Sequence, residues 1–103
     1  MNKLDKVAVT SRSFSSNKQL IKNLASKYAN ITLNNSGKTL TGDDLLQFLS
    51  DHDKVIVGLE DFNKNLIEKL PKLKVISKFG VGLNNIDIAA MAKNNIALGF
   101  TAG

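Results

Sequence analysis

Short apolar runs alternate with longer amphipathic stretches along the whole chain, the rhythm of strand and helix in turn. Val7 to Thr10 is a short strand. Ser15, Ser16 or Asn17 can cap a helix carrying Leu20, Ile21, Leu24, Ala25 and Tyr28 on one face. Ile31 to Leu33 reads as a second strand, and Gly37 to Gly42 as a loop. Thr41 followed by Asp44 resembles a capping box and opens a helix with Leu45, Leu46, Phe48 and Leu49. Val55-Ile56-Val57 is continuously apolar, as a strand covered on both faces would be. Phe62, Leu66, Ile67 and Leu70 make a short amphipathic helix that Pro71 stops. Leu73 to Ser77 is a fourth strand, Asn84 or Asn85 caps a helix from Ile86 to Asn94, and Ile96 to Phe100 is a fifth strand.

Five strands joined by four helices predict an α/β fold. The expected form is a three-layer αβα sandwich around a five-stranded parallel sheet with right-handed crossovers. The flavodoxin-like strand order 2-1-3-4-5 lets helices cover both faces. The 103 residues suffice for one core, hence one domain over 1–103. In such sheets ligands sit beyond the carboxyl ends of the strands. Three loops therefore matter: Ser11 to Ser16, Gly58 to Asp61, and Lys78 to Asn85.

Charge narrows the partners. Fourteen Lys and Arg against nine Asp and Glu leave a formal charge of +5. All but Arg12 are Lys, and they are scattered among apolar positions. Nucleic-acid readers concentrate charge on one face and use Arg for bases, so no nucleic-acid partner is expected. No apolar run approaches the ~20 residues of a membrane span, so no membrane partner is expected either. The start leads into a strand and not into a signal-peptide core, so a cytoplasmic location is expected. The absence of Cys removes disulfides, thiolate nucleophiles and Cys-bearing zinc sites.

The most informative segment is Lys78-Phe79-Gly80-Val81-Gly82-Leu83-Asn84-Asn85, which a strand enters and a helix leaves. Two glycines two apart let backbone N–H groups converge on a carboxylate or phosphate. The same two glycines suit a tight turn needing positive φ, and the pattern leaves both readings open. A dinucleotide site does not fit. Asn85 occupies the third glycine position, and the strand ending at Phe100 carries no acidic residue for a ribose.

The stretch Leu73-Lys74-Val75-Ile76-Ser77-Lys78-Phe79-Gly80-Val81-Gly82-Leu83-Asn84-Asn85-Ile86-Asp87 resembles a signature of the D-isomer-specific 2-hydroxyacid dehydrogenases, phosphoglycerate dehydrogenase-like members included. Asn95-Ile96-Ala97-Leu98-Gly99-Phe100-Thr101-Ala102-Gly103 resembles the strand and Asn-Thr-Pro-Gly stretch that ends the first segment of that family, with Phe100 and Ala102 in place of its usual Asn and Pro. The likeness covers residues 54–103; residues 1–53 share the strand–helix rhythm.

The resemblance implies an NAD-dependent oxidoreductase that moves hydride between nicotinamide and a D-2-hydroxy acid or its 2-oxo acid. This chain is then its flavodoxin-like substrate-binding domain, a fragment of a two-domain enzyme. NAD is held outside the chain, no catalytic residue lies in it, and it is inactive alone. Gly80, Val81 and Gly82 are implied to offer backbone amides to the substrate carboxylate, with Lys78 and Phe79 beside them. Lys78 stands where the family often has Arg and is implied to help hold the anionic substrate, keeping the charge without the planar fork. A later segment is implied to return and complete the domain; the face it leaves open keeps a homodimer in view.

Other polar residues have competing readings. The Ser11 to Ser16 loop, with Arg12, could hold the phosphate of a flavin as an alternative function, or cap a helix. Asn84, Asn85 and Asp87 are expected to stabilise a helix N-terminus, and Glu60 and Asp61 to be first-turn acids. His52, between Asp51 and Asp53 in a turn, is expected at the surface.

Overall fold

In a computed structural model, which describes residues 3–80 and 82–101, five strands form one sheet in the order 2-1-3-4-5. The strands are β1 (Lys6–Val9), β2 (Asn30–Leu33), β3 (Lys54–Val57), β4 (Val75–Phe79) and β5 (Ala97–Thr101). Every neighbouring pair is parallel. The helices are α1 (Arg12–Ser15), α2 (Lys18–Ala25), α3 (Gly42–Leu49), α4 (Lys64–Glu68) and α5 (Ile88–Lys93). The expected fold class and strand order are those observed.

The pleat divides the core in two. Val7, Val9 and Ile56 point to one face and pack with Phe14 and Leu24 of α1 and α2. Ala8, Val55, Val57 and Ile76 point to the other and pack with Leu45, Leu49, Leu66, Ile67, Ala90 and Met91 of α3, α4 and α5. Successive side chains of a strand alternate in direction, so continuous apolar runs are needed where both faces are covered. The first face is covered over β2, β1 and β3. Further along it Val75 is half-buried and Ala97 exposed.

Four elements differ from the sequence expectation, one of them the one-turn helix α1 inside the expected Ser11 to Ser16 loop. β4 runs to Phe79 instead of ending at Ser77, because Lys78 and Phe79 still pair with Phe100 and Thr101 of β5. Lys78 and Phe79 are therefore strand residues. Phe62 lies outside α4 and bridges Ile86 in parallel, exchanging hydrogen bonds with Asn85 O and Asp87 N. The last helix begins at Ile88, and its cap is Asp87, whose carboxylate accepts from Ala90 N. Asn84 and Asn85 are not the cap. Thr41 precedes α3 as expected but makes no side-chain cap bond. Asn17 does cap α2, accepting from Gln19 N and Leu20 N.

Candidate functional site

The carboxyl ends of β1, β3 and β4 open on one cleft of about 280 Å³. Its walls include Ser11, Arg12 and Ser13 after β1, Gly58, Leu59 and Glu60 after β3, and Phe79 and Gly80 at the end of β4. β1 and β3 approach so closely here that a Cβ on Gly58 would stand 3.0 Å from Ser11 Cα. Glycine at 58 is thus a condition of the site's shape.

The turn after β4 has Gly80 at φ 118° and Gly82 at φ 82°, both in the region that L side chains avoid. A Cβ at either position would meet nothing within 4 Å. The demand for glycine there is conformational, and it leaves open space over the main chain. Val81, an expected site residue, lies outside the described residues.

Lys78 does not project into solvent. It is 4% exposed. Its ammonium donates to Gly58 O and, at 2.9 Å, to Asn85 Oδ1. Asn85 in turn donates its Nδ2 to Gly58 O at 3.1 Å and Glu60 O at 2.8 Å. One lysine and one asparagine thus tie the loop after β3 to both ends of the glycine turn. Buried polar groups require such pairing, and here the pairing sets the distance between two loops. Phe79 points to the opposite face, where its ring meets Phe14 edge-on with centroids 5.2 Å apart.

Glu60 is not a first-turn acid. α4 is capped by Asn63, whose Oδ1 accepts from Leu66 N. Glu60 is 2% exposed, and its Oε1 accepts from Thr10 Oγ1 at 2.7 Å and Gly58 N at 3.0 Å. Nothing local in the sequence signals this, because Thr10 is 50 residues away. Asp61 stays exposed.

The segment 11–16 is a one-turn helix with its flanks and not an open loop. Ser11 Oγ accepts from Phe14 N, Ser15 Oγ from Asn34 N, and Ser16 Oγ donates to Ser13 O. Three of the four serine hydroxyls that could have wrapped a phosphate are committed to the chain's own backbone. Arg12 is exposed and donates Nη1 to Gly37 O at 3.1 Å. Asn34, which the sequence reading passed over, is 4% exposed and pins this region, donating to Thr10 O and Lys38 O. His52 is buried, contrary to expectation: its ring nitrogens lie 2.9 Å from Ser50 O and from Thr32 Oγ1. Among the described residues no cluster of His, Cys, Asp and Glu could hold a metal, and no helix is long and apolar enough to cross a membrane.

The sequence pattern of the D-isomer specific 2-hydroxyacid dehydrogenase catalytic domain matches residues 7–103. The chain belongs to that family. Two curated relatives are similar to part of the chain in sequence. D-3-phosphoglycerate dehydrogenase of Methanocaldococcus jannaschii is 40% identical over 58 residues, 55% of this chain and 11% of its own. Glyoxylate reductase of Thermococcus litoralis is 37% identical over 60 residues, 57% of this chain and 18% of its own. Among solved structures, the NAD+-bound 3-phosphoglycerate dehydrogenase of Entamoeba histolytica matches with a TM-score of 0.78 and 22% identity, over 95% of this chain and 33% of its own. The apo D-lactate dehydrogenase of Escherichia coli matches with a TM-score of 0.74 and 16% identity, over 93% and 30%. The chain thus spans a third or less of each of these relatives, and the structural likeness at such identities shows the dehydrogenase fold.

Proposed function

We propose that the chain is the substrate-binding domain of an NAD-dependent dehydrogenase acting on a D-2-hydroxy acid or its 2-oxo acid. The observation that carries this reading is the turn after β4. Two glycines at positive φ leave open space over the main chain, and the first of them, Gly80, lines the cleft. In the reading, the amides of residues 80–82 receive the substrate carboxylate, and Phe79 and Lys78 fix the strand end that presents them. Lys78 serves from beneath, since its ammonium is buried against Gly58 O and Asn85 Oδ1. That position differs from a side chain reaching out to the acid.

NAD is assigned to a part of the enzyme outside this chain. Two features of the described residues disfavour a dinucleotide here. Asn85, at the third glycine position, is held by contacts to Gly58, Glu60 and Lys78. One first-turn amide of α5, Ala90 N, is already taken by the Asp87 carboxylate, where a pyrophosphate would need it. Binding a substrate without a hydride donor leaves the hydride-transfer barrier untouched. The chain therefore holds and orients the acid, and the remainder of the enzyme supplies the chemistry.

The test is a pair of assays with NADH and glyoxylate. The 103-residue chain alone is expected to oxidise no NADH. An enzyme carrying this chain together with a nucleotide-binding domain is expected to oxidise it. Turnover by the chain alone, or none by the joined enzyme with any 2-oxo acid, would overturn the reading.

A further inference from the structure

Glu60 is a buried carboxylate with one oxygen unaccounted for. Both of its hydrogen bonds, from Thr10 Oγ1 and Gly58 N, end on Oε1. Oε2 has no hydrogen-bond partner among the described residues. Yet no enclosed side-chain oxygen or nitrogen among them lacks one. Oε2 therefore has access to open space, and Glu60 lines the cleft between the ends of β1, β3 and β4. No cation lies within ion-pairing distance of it among the described residues; Lys78 is turned to Gly58 and Asn85, and Arg12 to Gly37.

A carboxylate fixed in this way can accept one more hydrogen bond at Oε2. Its aim is set twice over, by the Thr10 hydroxyl and the Gly58 amide. Gly58 is itself held in register by the close packing of Ser11. Burying a carboxylate without a counter-charge is costly, so a donor arriving in the cleft gains a charge-assisted hydrogen bond. A second negative charge arriving there meets repulsion at short range in a partly desolvated site.

Resting on the proposed function, we propose that Glu60 is the specificity-determining residue of the cleft: it accepts a hydrogen bond from a donor group on the third carbon of the acid and rejects acids with an anionic group there. The glycine turn reads the carboxylate that all substrates share. Glu60 reads what differs. Sites built to hydrogen-bond one substrate group discriminate strongly against analogues that cannot complete the bond.

The experiment uses the enzyme carrying this chain, NADH and three 2-oxo acids. Glyoxylate has no third carbon, hydroxypyruvate carries a hydroxyl there, and oxaloacetate carries a carboxylate. The native enzyme is expected to favour hydroxypyruvate over oxaloacetate by about tenfold or more in kcat/KM. Glu60→Gln keeps an oxygen for Thr10 and Gly58 and presents an amide donor in place of Oε2. It is expected to lower that preference by about tenfold or more. A ratio is read because any common loss of activity or stability cancels in it. A native preference for oxaloacetate would overturn the proposal without any variant. An unchanged ratio in Glu60→Gln, with all three acids affected in parallel, would overturn it as well and reduce Glu60 to a structural contact. Turnover of glyoxylate with no discrimination between tails would sink this inference alone. No turnover of any of the three would sink this inference, and the proposed function falls with it if no other 2-oxo acid is turned over.

Discussion

The ammonium of Lys78 and the side-chain carbonyl of Asn85 stand 2.9 Å apart across the glycine turn that separates them. The bond joins residues seven positions apart, and their other side-chain hydrogen bonds go to Gly58 and Glu60. Asn85→Ala leaves the Lys78 ammonium, Gly58 O and Glu60 O short of partners. Each buried group left unsatisfied costs about 1–3 kcal/mol. Lys78→Met removes a donor from the same knot. Each variant is expected to lower Tm by roughly 5–15 °C, since 1 kcal/mol shifts a domain of this size by about 4–8 °C. Thermal melts followed by circular dichroism check this; an unaltered Tm in both would show that the knot adds nothing to stability.

Gly58 and Gly82 need glycine for different reasons, and two substitutions separate them. At Gly82 the constraint is φ 82° with open space around. Ala there costs on the order of 1–2 kcal/mol, and Asn, which tolerates the left-handed region, costs less. At Gly58 the constraint is Ser11 at 3.0 Å. Ala overpacks that contact by about 1–3 kcal/mol, and the bulkier Asn is worse. The order of stability is therefore Asn above Ala at 82 and Ala above Asn at 58. Chemical denaturation of the four variants reads the order directly.

The reassigned helix cap has its own signature. Asp87 Oδ1 accepts from Ala90 N at 3.0 Å. Asp87→Ala is expected to cost about 1 kcal/mol, or roughly 4–8 °C in Tm. Asn84 is exposed and lies outside the helix. Asn84→Ala should leave Tm unchanged, whereas a larger loss at 84 than at 87 would return the cap to the asparagines.

Asp51 is expected to make a salt-dependent contribution to acid sensitivity. Hydrogen bonds from Lys6 at 2.7 Å and Lys72 at 2.8 Å lower its pKa from 3.8 to about 2. The same contact raises Lys72. A folded-state pKa below the unfolded one means the contribution is fully present above about 3.8 and is lost as pH falls through about 2. The pair is solvent-exposed, so salt screens it. Asp51→Asn, which tolerates the positive φ of 65° at this position, should flatten the fall of Tm between pH 4 and 2 at low ionic strength. Equal acid limbs in the two proteins would discount the contact.

The pattern along the chain pointed to the five strands, their order and four of the five helices. Apolar runs such as Val55 to Val57 require cover on both faces, and short crossovers of one hand leave few arrangements that provide it. The Gly80 and Gly82 turn was legible for a related reason: a positive φ is a property of the residue itself. What the tertiary structure decided are contacts between segments far apart in sequence. The extra two residues of β4 depend on pairing with β5, and the bridge of Phe62 to Ile86 draws both residues out of their expected helices. Glu60 reads as a helix-start acid until Thr10, at the end of another strand, is brought beside it. Lys78 reads as a free cation until Gly58 and Asn85 enclose it. Local pattern carries hydrophobicity and backbone preference. A hydrogen bond between residues 20 to 50 positions apart is set by the register of the sheet, which exists only once the strands have paired.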